Sequence, residues 1–216
     1  MGMVPANKGQ HYPQEVLSMA EVSKLMKACN GGLTGARNRA LIAVMYRAGL
    51  RVSEALDIRK NDVREIEHEG QVMHAIRVRN GKGGKARTVG IDGGAHKILK
   101  EWMDMRANQA GPGAFIRQSF LKVGPIFCSL KGRKLDSSYV RRLLPRLAAK
   151  AGIDRRVHAH MLRHSHAFEL AMERVPMNVI QSQLGHASLQ TTSVYVNHLG
   201  DAQAIGAVAA RAAFGG

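Results

Sequence analysis

The sequence is poor in the features that mark secreted, disulfide-stapled or membrane-spanning proteins. Of its 216 residues only two are cysteines, Cys29 and Cys128. They are distant in sequence and form no C-x-x-C pair, so they read as buried thiols of a reducing compartment, and neither lies in a polar motif that would make it a nucleophile. The longest apolar run, Ala40–Tyr46, is far too short to span a bilayer, and Met1–Gln10 holds no apolar core of a secretory signal. Aromatic residues make up 5% of the chain, so aliphatic and Met packing must dominate the core. The single tryptophan, Trp102, sits among mixed charges, not opposite a basic face as a membrane-surface helix requires. Acidic residues are scarce as well: 16 Asp and Glu stand against 32 Lys and Arg, a net charge of +16. That surplus points to a polyanionic partner, with nucleic acid first and an anionic membrane second; ribosomal or RNA-binding roles would carry the same charge. The expected setting is cytoplasmic and DNA-associated, with no membrane partner.

The pattern along the chain is mainly α with one small antiparallel β-hairpin, an α+β domain without internal repeats. Residues 1–16, with Pro5 and Pro13, read as an extended leader and 17–216 as one domain. Ser18-Met19-Ala20-Glu21 fits a capping box that opens a helix to about Cys29. Thr34 is placed to cap a second helix over 35–48, apolar nearly all round and therefore central, which Gly49 ends. A short helix follows over 53–58. Two strands, Val72–Arg79 and Thr88–Ile91, flank the turn Asn80-Gly81-Lys82-Gly83-Gly84-Lys85. Further helices fit 94–109, 137–150 (capped by Asp136), 159–173, 176–184 with Pro176 at its first position, 188–196 and 201–213, with a loop over 111–125.

The last third carries the chemistry. His-Ala-His-Met-Leu-Arg-His at 158–164 and Leu-Gly-His-Ala-Ser-Leu-Gln-Thr-Thr-Ser-Val-Tyr at 184–195 bring two histidines, an arginine and one tyrosine together within 36 residues of helical pattern. His160 and Arg163 are three apart and share a helix face; His186 follows Gly185 at a helix-to-helix turn; Tyr195 lies nine residues on. Packing alone asks for no such set. A tyrosine that attacks a phosphodiester does, because it needs cations for the phosphate and proton-transfer groups nearby. Upstream, Arg51 stands where the buried helix ends, with Glu54 three residues on to orient it, and Lys82 sits at the tip of the glycine turn. Blander readings exist for each piece. Tyr195 alone would be a half-buried core tyrosine. His158, His160, His164 and His166 invite a zinc site, yet no H-E-x-x-H is present and no Cys or carboxylate completes a ligand set, so no metal is assigned. The glycine turn lacks the G-x-x-x-x-G-K-[ST] of a nucleotide loop. Arg141, Arg142, Arg155 and Arg156 read as solvated or phosphate-facing, adding affinity without sequence reading.

These pieces together resemble the tyrosine recombinase (phage integrase) family. The carriers are A-G-L-R-V-S-E-A-L at 48–56, N-G-K-G-G-K-A-R-T-V at 80–89, H-M-L-R-H at 160–164 and the box at 184–195, in the family's order and over about residues 14–213. The resemblance implies the family's catalytic-domain fold and site-specific recombination of double-stranded DNA. It implies Arg51, Lys82, His160, Arg163 and His186 as the phosphate-activating set and Tyr195 as nucleophile, with Lys85 the rival to Lys82 as general acid. The product is a 3′-phosphotyrosyl link and a free 5′-hydroxyl; because the bond energy is retained, no cofactor, neither ATP nor metal, is expected. It also implies a homotetramer on synapsed DNA and a monomer or weak oligomer when free, with the closing helix docking on a neighbouring protomer. The family's separate N-terminal helical domain is not expected within this sequence, whose catalytic pattern starts by about residue 15, as in an excised catalytic domain or a natural short form. Two rivals remain: a type IB topoisomerase-like relaxation activity, against which the integrase-like wording of the 184–195 box argues, and a DNA-binding regulator that has abandoned catalysis, against which six filled catalytic positions argue.

Overall fold

The computed structural model describes residues 16–81, 85–108 and 123–185. Helix α1, Met19–Ala28, opens on the expected capping box: Ser18 Oγ accepts the Glu21 N–H at 3.2 Å while the Glu21 carboxylate accepts the Ser18 N–H at 2.8 Å. Helix α2, Gly32–Arg47, is the central element. Ala40, Leu41, Ile42, Val44 and Met45 have no exposed surface, so the long apolar run is explained by burial on every side. Its start differs from the sequence reading. The cap is Gly31, whose backbone is extended, and Thr34 lies inside the first turn. A hydroxyl cap is dispensable there because a glycine meets the cap geometry at little cost.

After α2 the chain turns at Gly49 into α3, Val52–Leu56, and a 3-10 turn, Lys60–Asp62, then enters a sheet of three antiparallel strands in the order β1 (Val63–His68), β2 (Gln71–Val78), β3 (Arg87–Ile91). The expected hairpin is β2–β3, with Ile76 opposite Val89. Strand β1, pairing Val63 with Ile76 and His68 with Gln71, is additional. Its sequence V-R-E-I-E-H carries no buried stripe, since it is an edge strand partly or fully exposed along its length. Ile76, Val78, Val89 and Ile91 turn one face of the sheet into the core.

Helix α4, Gly93–Ala107, starts directly after β3, capped by Asp92, and packs on α2; the indole N–H of its buried Trp102 donates to the Ile126 carbonyl at 3.0 Å. Helices α5 (Ser137–Lys150, capped by Asp136), α6 (Ala159–Met172) and α7 (Met177–Leu184) complete the described chain. Pro176 stands at the N-cap of α7, one position before the expected one. Ala167, Ala171, Ile180 and Leu184 form a small apolar cluster of their own that seats α7 on the far half of α6. The helices expected over 188–196 and 201–213 lie outside the described residues. Both cysteines are buried, as read from the sequence, and burial first of all raises the Cys29 thiol. Among the described residues no helix is long and apolar enough to cross a membrane. Arg155 is exposed, as expected of the basic surface, and it also pairs with Glu21 at 2.7 Å and donates to the Val16 carbonyl, which staples the start of the fold.

Candidate active site

The site forms where three helix ends and one strand meet. Helix α2 ends with Gly49 in the left-handed region (φ 63°), and α7 ends with Gly185 in the same region (φ 65°). Both positions need glycine for space as well as for dihedral angle. A Cβ on Gly49 would lie 2.5 Å from His166 Cδ2 and 2.8 Å from Leu184 Cδ2; one on Gly185 would lie 2.8 Å from Arg87 Nε.

Arg163, buried on α6, ties these two ends together. Its Nη1 donates to the Gly49 carbonyl and its Nη2 to the Leu184 carbonyl, each at 2.6 Å. The guanidinium thus serves the carbonyl of the residue just past the C-cap of α2 and the last carbonyl of α7, and its charge opposes the negative ends of both helix dipoles. The planar fork of an arginine can serve two carbonyls in one plane; a lysine cannot.

Arg51 lies four residues past the end of α2 and caps α3. Its backbone N–H and its Nη1 both donate to Glu54, each at 2.9 Å. Glu54 is buried, its side chain 2% exposed, and it gathers more than Arg51. Arg87, at the start of β3, meets both Glu54 oxygens through its two Nη atoms at 2.9 and 3.0 Å, and Arg163 Nη1 lies 3.9 Å away. One carboxylate therefore stands among three guanidinium groups. Burial alone would raise the Glu54 carboxyl; hydrogen bonds from Arg87 and then Arg51 outweigh it and hold the group below its ordinary value. The cluster retains a surplus of positive charge.

His160 is on the first turn of α6 and keeps an exposed face. Partial loss of water around its ring, and then the charges of Arg163 and Arg51, lower its pKa, so the imidazole is neutral at pH 7 with a free acceptor capacity. Behind it, burial and neighbouring positive groups bring His164 and His166 down to about 4. His166 is buried against Gly49, and its Nε2 has no hydrogen-bond partner. The His160 and His164 rings are 6.1 Å apart.

The structure thus brings Arg51, Glu54, His160 and Arg163 into one cluster from two distant stretches of chain. Lys85 is exposed at the base of the glycine turn, where its carbonyl accepts the Gly81 N–H at 3.1 Å. Lys82, His186 and Tyr195 lie outside the described residues. Two contributors escaped the sequence reading. Arg87 holds Glu54 and also donates through Nε to the Gln183 carbonyl at 3.3 Å. Gln183 docks α7 on β3 as a strand residue would: its Oε1 accepts the Gly90 N–H at 3.0 Å and its Nε2 donates to the Gly90 carbonyl at 2.9 Å. The signal for Arg87 was its place in β3, on the same face as buried Val89 and Ile91, where an arginine demands a carboxylate partner. Chemically, the cluster offers fixed cationic hydrogen-bond donors beside a neutral imidazole, an arrangement suited to an anion that must be held while a proton moves.

The sequence is 31% identical over 201 residues to tyrosine recombinase XerD of Bifidobacterium longum, covering 90% of this chain and 61% of that protein. It is 32% identical over 197 residues to tyrosine recombinase XerC of Proteus mirabilis, covering 91% of this chain and 58% of that protein. The chain spans about three fifths of the length of these curated relatives. Among solved structures, XerH site-specific recombinase bound to its palindromic difH substrate superposes with a TM-score of 0.70 at 29% identity, over 92% of this chain and 54% of that one. XerA recombinase gives 0.68 at 28% identity, over 98% and 70%. The catalytic domain of bacteriophage HP1 integrase shares the fold, with a TM-score of 0.59 at 18% identity, over 92% and 95%. Residues 15–201 match the phage integrase family, and the chain belongs to it.

Proposed function

We infer that residues 17–216 are the DNA breaking-and-rejoining domain of a site-specific tyrosine recombinase acting on double-stranded DNA. The observation that carries this reading is the buried Glu54 carboxylate, which gathers Arg51, Arg87 and Arg163 and leaves surplus positive charge next to a neutral His160. Arg51 and Arg163 hold the two non-bridging oxygens of the scissile phosphate and stabilise the pentacoordinate transition state by fixed charge. Tyr195 attacks phosphorus. Its hydroxyl, with an ordinary pKa near 10, needs a base, and His160 accepts that proton. Lys82 protonates the departing 5′ oxygen, and His186 donates a hydrogen bond to the phosphate. The P–O5′ bond breaks as the P–O bond to tyrosine forms, and a second strand's 5′-hydroxyl reverses the step. Glu54 and Arg87 position Arg51.

The test is a nicked suicide duplex bearing a site selected from random or host DNA. The expected result is a covalent protein–DNA adduct that Tyr195→Phe abolishes. Intact binding with no adduct on any selected site would leave a DNA-binding regulator instead. The same reading includes a tetramer on synapsed DNA, in which 201–216 packs on a neighbouring protomer; deleting 201–216 is then expected to weaken assembly in gel-shift titrations, and unchanged assembly would refute the docking.

A further inference from the structure

We propose that Glu65, His74 and His96 form a site for one divalent transition-metal ion of the zinc class, separate from the cluster around Glu54. The three come from three elements. Glu65 on β1 and His74 on β2 are direct partners in the antiparallel register, so their side chains leave the sheet on one face as neighbours. His74 shares that face with Ile76 and Val78, the side covered by the core. His96 reaches it from the first turns of α4, which Asp92 fixes by accepting the Ala95 N–H at 3.0 Å. One ligand atom from each of the three residues lies within 4.8 Å of the others.

Two details of the cluster are unaccounted for by packing. His74 Nδ1 is buried and has no hydrogen-bond partner, although buried polar atoms are paired as a rule. The His74 and His96 rings lie 3.8 Å apart and 10° from parallel. In such a stack the in-plane lone pairs and N–H bonds run side by side, so neither ring can donate to the other. A metal ion at the edge of the stack resolves both. Coordination through Nδ1 supplies the missing partner, and two neutral imidazoles with one carboxylate are a donor set that zinc accepts. Zinc bonds of about 2.0–2.2 Å in tetrahedral geometry place ligand atoms roughly 3.3–3.6 Å apart. The cluster closes to that spacing when the rings fan out from the parallel stack and the exposed Glu65 side chain swings inward. The site would clamp the edge strand β1 and its partner β2 to α4. An ion bound only in the folded state stabilises that state by mass action.

The test uses the full chain, stripped with EDTA, dialysed and titrated with Co²⁺ for its visible absorption and with Zn²⁺ against a chromophoric chelator. One equivalent is expected to bind, with Zn²⁺ raising the melting temperature. His74→Gln and His96→Gln are expected to lose that equivalent. Glu65→Gln, at an exposed position that leaves folding intact by circular dichroism, is expected to bind more than about tenfold more weakly, because one of three ligands is gone. His158→Gln, in the other histidine-rich segment, is expected to bind as the unaltered protein does. No uptake by the unaltered chain would overturn the proposal. So would uptake that survives in Glu65→Gln at full affinity, or uptake lost in His158→Gln alone.

Discussion

Glu54 is the keystone of the charge cluster, and replacing it with glutamine changes little but charge. The side chain is 2% exposed and contacts Arg51 at 2.9 Å and Arg87 at 2.9 and 3.0 Å, with Arg163 at 3.9 Å. In Glu54→Gln, three guanidinium groups face one another with no anion between them, and one carboxylate oxygen becomes an NH₂ aimed at N–H donors. Removing one partner of a buried charge pair costs about 3–5 kcal/mol. For a domain of this size each kcal/mol moves the melting temperature by about 2–4 °C, so a drop of roughly 6–20 °C is expected by circular dichroism in low-salt buffer. Sulfate or phosphate, which can occupy the cationic cluster, is expected to recover more of the loss in the variant than it adds to the unaltered protein. The acid limb supplies a second reading. The folded pKa of Glu54 is held below its ordinary 4.5, so its stabilisation is present above pH 4.5 and lost as pH falls through the folded value. The variant should therefore show a flatter decline in that range. A melting temperature within about 2 °C of the unaltered protein would refute the reasoning, since it would mean that the three arginines do not depend on this carboxylate.

Arg163→Lys is expected to retain the helical circular dichroism signal but to lose adduct formation on the suicide duplex; one ammonium cannot serve both the Gly49 and Leu184 carbonyls, and an orphaned buried carbonyl costs about 1–3 kcal/mol, read as a lower melting temperature. His166, brought down to about 4 by burial and then by Arg47 and Arg163, is neutral in the fold. Stability is unaffected by this ring above pH 6.5 and falls as pH drops toward about 4, the loss reaching about 2 kcal/mol at pH 5; His166→Gln should flatten stability over that window in pH-dependent denaturant melts, and an unchanged slope would show that the ring is already charged.

How far the sequence reveals such a molecule depends on whether a residue's role is local. Helix α2 was legible because Ala40–Met45 is apolar on every side, and the Arg51–Glu54 pair because residues three apart on one turn meet by geometry alone. Strand β1 was not, because V-R-E-I-E-H at a sheet edge buries no stripe and its pairing is decided by β2. The roles of Arg87 and Gln183 depend on partners 33 and 93 positions away, so the spacing of motifs is silent about them. The histidines show the same limit from both sides. Four of them crowded at 158–166 suggest a metal on sight, yet burial and then neighbouring positive groups, Arg163 among them, bring His164 and His166 down to about 4. His74 and His96, 22 positions apart and joined by Glu65 only through a strand pairing, carry no spacing that a reader of the sequence could notice, and yet among the described residues theirs is the set whose ligand atoms converge. Density of a residue type along the chain therefore says little about a site; what decides is whether the elements that carry it are folded onto one face, and in this fold the register of β1 against β2 makes that decision.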